Sequence, residues 1–177
     1  MKRNILLIIV VTIVAAQIAI GRQNATQSPI EKLGAFVGKW EGTGEMVNSA
    51  YSQAGKNSGE TNCNWSPNHS FLICDQTVHL PTGTQNDLSL YTYNESDKAY
   101  AFFGHSRNDR NTRSPKLTIE GNVWTYSNEF DDGAKHIRMR TINEFKSASL
   151  VVWRAEYSED GTHWTAMGSG SMNRTAK

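Results

Sequence analysis

The chain has 177 residues, 38% hydrophobic and 20% charged, with Lys+Arg 18 against Asp+Glu 17 and a formal net charge of +1. That balance excludes a nucleic-acid-binding tail, an acidic solvating chain and a disordered or collagen-like polymer. Five Trp, six Tyr and six Phe supply enough large apolar surface for one packed domain.

Lys2 and Arg3 precede an apolar run from Ile5 to Ile20, the charge-then-apolar order of a secretory signal peptide. The run is shorter than the roughly 20 residues a bilayer-spanning helix needs. Ala19 and Gly21 place small side chains before Arg22, as a cleavage site requires. The expected organisation is a signal peptide over 1–21, a flexible segment over 22–28 and one domain over 29–177, with an uncleaved anchor as the alternative. Without Lys2 and Arg3 the chain is near neutral, which gives no long-range steering toward nucleic acid or an anionic membrane. Export would also put Cys63 and Cys74 where thiols pair, and a disulfide is expected.

Ser28-Pro29-Ile30-Glu31 reads as a capping box with Pro at the first helical position, predicting a short helix from Pro29 to about Val37 that Gly38 ends. After it, short β-rich runs alternate with turn signals. Strands are expected near 38–47, 59–66, 70–79, 86–94, 98–105, 115–120, 123–130, 135–145, 149–158 and 162–172. Antiparallel pairing about the turn Pro67-Asn68-His69-Ser70 sets Cys63 opposite Cys74 and Trp65 opposite Leu72. Turns at Gly121-Asn122, Asp132-Gly133 and Asp160-Gly161 tolerate positive φ. Counting outward from them pairs Leu117 with Tyr126, Tyr126 with Met139, Trp124 with Thr141 and Tyr157 with Trp164. Glu129, His136, Arg138, Arg154 and Glu156 fall on the opposite face, which reads as a solvated exterior. Sequential hairpins with one apolar face close on themselves to remove their edges. The fold expected is therefore all-β, an antiparallel up-and-down β-barrel of about ten strands with a short N-terminal helix; a two-sheet sandwich is the alternative.

Gly38-Lys39-Trp40 after a short helix resembles the Gly-x-Trp opening of lipocalins and the wider calycin group. That resemblance implies that Trp40 plugs the barrel base and that Arg174, near the end of the last strand, packs over it. The segment from Leu33 to Gly44, the Cys63 to Cys74 hairpin, Leu90-Tyr91-Thr92-Tyr93-Asn94 and Ser158 to Trp164 look like the bacterial lipocalin-like family catalogued as domain of unknown function 1579. This likeness spans roughly 30–175 and implies a fold, with no established chemistry to carry over. Gly38-x-Trp40-x-Gly42-x-Gly44 is also similar to the opening of nitrobindin-type barrels, which hold haem through a His. Of the five His, none matches that ligand context. His105, on a strand with Phe103 and Leu88, is the one with a route inward, and its plain reading is a strand-end residue.

The cavity-lining candidates are Trp124, Tyr126, Met139, Trp153, Tyr157 and Trp164, since aromatic walls with a few polar groups are what small-molecule pockets use. The plainer reading is that these side chains simply fill a small barrel. Arg107, Arg110 and Arg113 string positive charge along a connection longer than a hairpin needs, which reads as a solvated loop or as an anion portal over the mouth. The connection from Asn48 to Gly59, with Tyr51 in its middle, reads as a mobile lid or as slack. No His-x-His, His-x-x-x-His or Cys-x-x-Cys spacing offers a metal site. No Gly-x-Ser-x-Gly elbow occurs either, Gly168-Ser169-Gly170-Ser171-Met172 lying inside a strand. No catalytic residue, metal or cofactor is therefore assigned. Interior carboxylates are scarce, Asp75 qualifying only if its face turns inward. The expected partner is a small apolar or amphipathic molecule, with no nucleic acid and, after signal cleavage, no membrane. The sequence assigns no oligomeric state.

Overall fold

The computed structural model describes residues 27–107 and 112–176, without the side chains of 112 and 113. The expected signal peptide over 1–21, its expected cleavage site and most of the expected 22–28 segment lie outside the described residues. No described helix is long and apolar enough to cross a membrane.

The N-terminal helix is shorter and tighter than expected, an α-helical turn α1 (Pro29–Lys32) running into a 3₁₀ turn (Leu33–Phe36). The Ser28 side chain makes no capping bond. Gln27 reaches the first turn instead, its Nε2 donating to the Glu31 carbonyl at 2.8 Å. The tighter turn points both Leu33 and Phe36 into the core, and Gly38, at φ 111°, turns the chain into the first strand.

Eleven strands follow in order: β1 (Gly38–Met46), β2 (Gly55–Trp65), β3 (Leu72–Leu80), β4 (Gly83–Asn94), β5 (Ala99–Ser106), β6 (Thr112–Arg113), β7 (Lys116–Glu120), β8 (Val123–Asp132), β9 (Lys135–Ser147), β10 (Leu150–Ser158) and β11 (Thr165–Ala176). Each long strand pairs antiparallel with its neighbour, and β11 pairs with β1, so ten of them close a ring. The two-residue β6 pairs on β5 alone. The expected up-and-down barrel is thus the fold, and closure leaves no sandwich edge.

The Cys63 hairpin has the register expected, Cys63 opposite Cys74 and Trp65 opposite Leu72. The two Cys form a disulfide with their Cα atoms 4.1 Å apart. His69, at φ 58°, makes the turn and stacks on Trp65 at 4.0 Å. About Gly121-Asn122 the register is also as expected, with Leu117 opposite Tyr126.

Two registers differ from the sequence reading. In the β8–β9 hairpin Asp132 pairs with Lys135, so the central residues are Gly133-Ala134 and Tyr126 meets Thr141, not Met139. Gly133, at φ 60°, takes the first central position of the turn, where a type II′ hairpin demands glycine. The slip is two residues, and because side chains alternate with period two the inward face is preserved. After β10 the chain makes a six-residue connection, 159–164, and Tyr157 pairs with Thr165. There the Asp160 carboxylate accepts the N–H groups of Thr162 and His163, each at 2.7 Å, while Ser158 Oγ accepts Gly161 N–H at 2.8 Å. These local bonds hold a wider turn than a bare Asp-Gly pair. A bulge at Ala155/Glu156 then sets Ala155 opposite Gly168.

Candidate functional site

One end of the barrel is sealed by aromatic packing. Phe36 lies edge-on to Trp124 at 4.9 Å and to Phe145 at 5.0 Å, and Trp40 donates its Nε1 hydrogen to the Phe36 carbonyl at 2.9 Å. Arg174 stands opposite Trp40 across the β1–β11 ladder, with its guanidinium 4.6 Å from the indole centroid and one Nη donating to the Ala35 carbonyl at 2.6 Å. A cation so placed contributes about 0.5 to 2 kcal/mol. Burial lowers the Arg174 pKa from its ordinary value. Trp40 and Arg174, the two residues named from the lipocalin resemblance, are thus in contact at this end of the barrel.

Above this plug is a cavity of about 450 Å³ that opens toward the other end of the barrel, within the range of small-molecule pockets. Its floor is Phe36, the Cys63–Cys74 bridge, Tyr91 and Phe102; Tyr126, Trp153, Met46 and Met172 form its apolar wall. Tyr126 donates to the Tyr91 hydroxyl across 3.5 Å. Burial pushes Tyr91 up to about 12 and holds Tyr126 well above the ordinary phenol range.

Of the six candidate lining residues, Tyr126 and Trp153 are on the cavity wall. Trp124 belongs to the base, 1% exposed and packed against Phe36 and Phe145. Met139 pairs with Tyr157, but neither reaches the cavity lining; Tyr157 instead meets the Tyr51 ring at 4.9 Å. Trp164 sits in the 159–164 connection beneath the Arg140 guanidinium, 3.7 Å from its centroid, and Arg140 is ion-paired to Glu156 at 2.7 Å on the outer face. The expected Tyr157–Trp164 pair fails because that connection is wider than two residues.

Glycines place Trp153. A Cβ on Gly44 or on Gly170 would overlap its indole, so the ring lies flat in a trough where β1 and β11 carry no side chain. The thin stretch at Gly168-Ser169-Gly170 is thus a seat for an aromatic wall, and alternate glycines on two neighbouring strands were the signal for it.

The connection expected as a lid or slack is shorter than expected, since β2 begins at Gly55. It is held by its own bonds, Ala54 N–H donating to Asn48 Oδ1 at 2.8 Å and Ser52 Oγ to the Val47 carbonyl at 2.7 Å. Tyr51 carries it across part of the mouth, donating its hydroxyl to Asp132 at 2.9 Å and meeting the Phe130 ring at 5.8 Å. Partial burial and the Asp132 carboxylate push its phenol up to about 12. Of the expected anion portal, Arg107 is exposed at the end of β5, its backbone N–H donating to the Asn86 carbonyl. Arg110 and the Arg113 side chain lie outside the described residues.

The wall formed by β4 and β5 reverses the usual pattern. Asp87, Ser89, Gly104 and Ser106 line the cavity, while Leu88 and Phe103 are exposed on the outside. Asp87 stands between Gln76 and Ser106 on the neighbouring strands. Its Oδ2 accepts the Gln85 amide at 2.8 Å; its Oδ1 is buried with no hydrogen-bond partner. Sequence reasoning missed Asp87 because the alternation of Leu88 and Leu90 favours the opposite face. Asp75 is exposed, opposite Asn62. All five His, at 69, 79, 105, 136 and 163, are exposed and none lines the cavity, so the chain offers no imidazole to a haem iron there. Among the described residues no three His, Cys, Asp or Glu side chains gather to hold a metal.

No family model and no curated protein matches the chain. Among solved structures it is similar to the crystal structure of Rv2717c from M. tuberculosis, with a TM-score of 0.57 at 10% identity, over 83% of this chain and 98% of that one. At that identity the likeness is one of fold.

Proposed function

We propose that this protein is an exported barrel that binds a small, partly apolar molecule in its interior. The observation that carries the reading is the open cavity of about 450 Å³ bounded by Tyr91, Phe102, Tyr126, Trp153 and two Met, with a few polar groups among them. A barrel whose side chains only filled it would not keep such a space. The Cys63–Cys74 disulfide supports an oxidising compartment, in line with the signal-like N-terminus. Kinship with lipocalin-like barrels is part of the same proposal, supported by the Arg174–Trp40 stack at the base.

The test is mass spectrometry of small molecules released when the protein, purified from several hosts, is denatured. A recurring compound, absent when Ala155→Phe narrows the cavity but the fold is retained, is the expected result. Empty extracts from every host, with no apolar probe taken up on titration, would overturn it. A second reading, an interaction module, draws on the exposed Leu88 and Phe103; concentration-dependent association lost in Leu88→Ser/Phe103→Ser is its signature.

A further inference from the structure

Asp87 is the one side chain carrying a formal charge at neutral pH among the described residues lining the cavity. Among the described residues no Lys, Arg or His pairs with it. One of its oxygens is satisfied by Gln85, and the other is buried and unpaired. A buried acceptor without a donor is unfavourable until something supplies one. The only other buried unpaired side-chain atom among the described residues is Arg174 Nε, and that group lies against the Trp40 face; Asp87 Oδ1 has no such compensation.

The strand that presents Asp87 does so against its own hydrophobic pattern, putting Leu88 into solvent and Asp87 and Ser89 inside. Local rules broken in this way concentrate where a site is built. Across the cavity stand Trp153 and Met172, which provide an apolar counter-face. Resting on the cavity reading above, we infer that the ligand is an amphipathic amine, its ammonium group donating to Asp87 Oδ1 and its hydrocarbon or aromatic body lying against Trp153, Tyr126 and Met172. A carboxylate of the same length would set like charges together in a partly desolvated site, and an alcohol would satisfy the oxygen without the charge.

Isothermal titration with octylamine, octanol and octanoate separates these by headgroup alone. The expected order is amine, then alcohol, then carboxylate, with the amine at least tenfold tighter than the alcohol. Asp87→Asn should bring amine and alcohol within about twofold while octanol still binds, which also reports a folded cavity. Equal binding of all three to the unmodified protein, or octanoate binding best, would overturn the inference and leave the cavity reading standing. Failure of all three to bind would overturn both.

Discussion

At the base, Phe36 packs against Trp40, Trp124 and Phe145 with Arg174 laid over the Trp40 indole, and Phe36, Trp40 and Trp124 are buried there. At the mouth, one segment crosses part of the opening through Tyr51 and its single bond to Asp132, and Asp87 Oδ1 is left without a donor. The seams differ in the same sense. β1 and β11 pair from Lys39 to Met46, whereas β5 and β7 share the Tyr100–Leu117 pair near the base. The contrast teaches that aromatic packing is concentrated at one end of this barrel, while an open cavity is kept above it.

The largest expected effect sharpens the comparison from the base. Trp40→Ala removes the plug and its bond to the Phe36 carbonyl, and should cost about 3–5 kcal/mol in denaturant unfolding; a loss below about 1 kcal/mol would show that the base does not dominate. Replacing both cysteines, Cys63→Ser/Cys74→Ser, opens a loop with a sequence separation of 11 and should cost about 3 kcal/mol by the chain-entropy account. A free-thiol assay of the denatured, unreduced protein should find none, because the thiols are bridged.

Halfway up the wall, Gly170→Val pushes against the Thr43 carbonyl and the Trp153 ring and should cost about 1–3 kcal/mol. It should also shift Trp153 emission, measured with the other tryptophans replaced by Phe singly; unchanged emission would mean that the ring does not rest on the glycine trough. The smallest effect lies on the exposed rim. His136 is bonded to Asp131 at 2.8 Å and Glu129 at 3.2 Å, which raises its pKa above the ordinary 6.5. Its folded value exceeds the unfolded one, so the small stabilisation it gives is complete below pH of about 6.5 and fades as pH rises through the folded pKa. An NMR titration should place its midpoint above that of a free histidine, and Asp131→Asn should lower it.

The parts of the site nearest in sequence to a recognisable device were legible. Gly38-Lys39-Trp40 and Arg174 pointed to the base plug, and the turn at 67–70 set Cys63 against Cys74. Trp124 and Trp164 were assigned to the cavity wall with equal reason and belong elsewhere, one to the plug and one to the outer face under Arg140. Pairing arithmetic could not see the bulge at Ala155/Glu156 or the six-residue connection after β10, because bulges and wide turns depend on side-chain bonds such as those of Asp160.

Alternation of apolar and polar residues, and glycine at the corners, determined by themselves an all-β chain of hairpins with one disulfide-bearing turn, since both act within a few residues. Which face of β4 looks inward was decided only when the ring closed: pairing with β3 and β5 placed Tyr91 over Leu72 and Phe102, and period-two geometry then carried Asp87 inside and Leu88 out. Burial of Tyr91 against Leu72 and Phe102 outweighed exposure of Leu88 farther up the strand, and the polar wall of the cavity is the consequence.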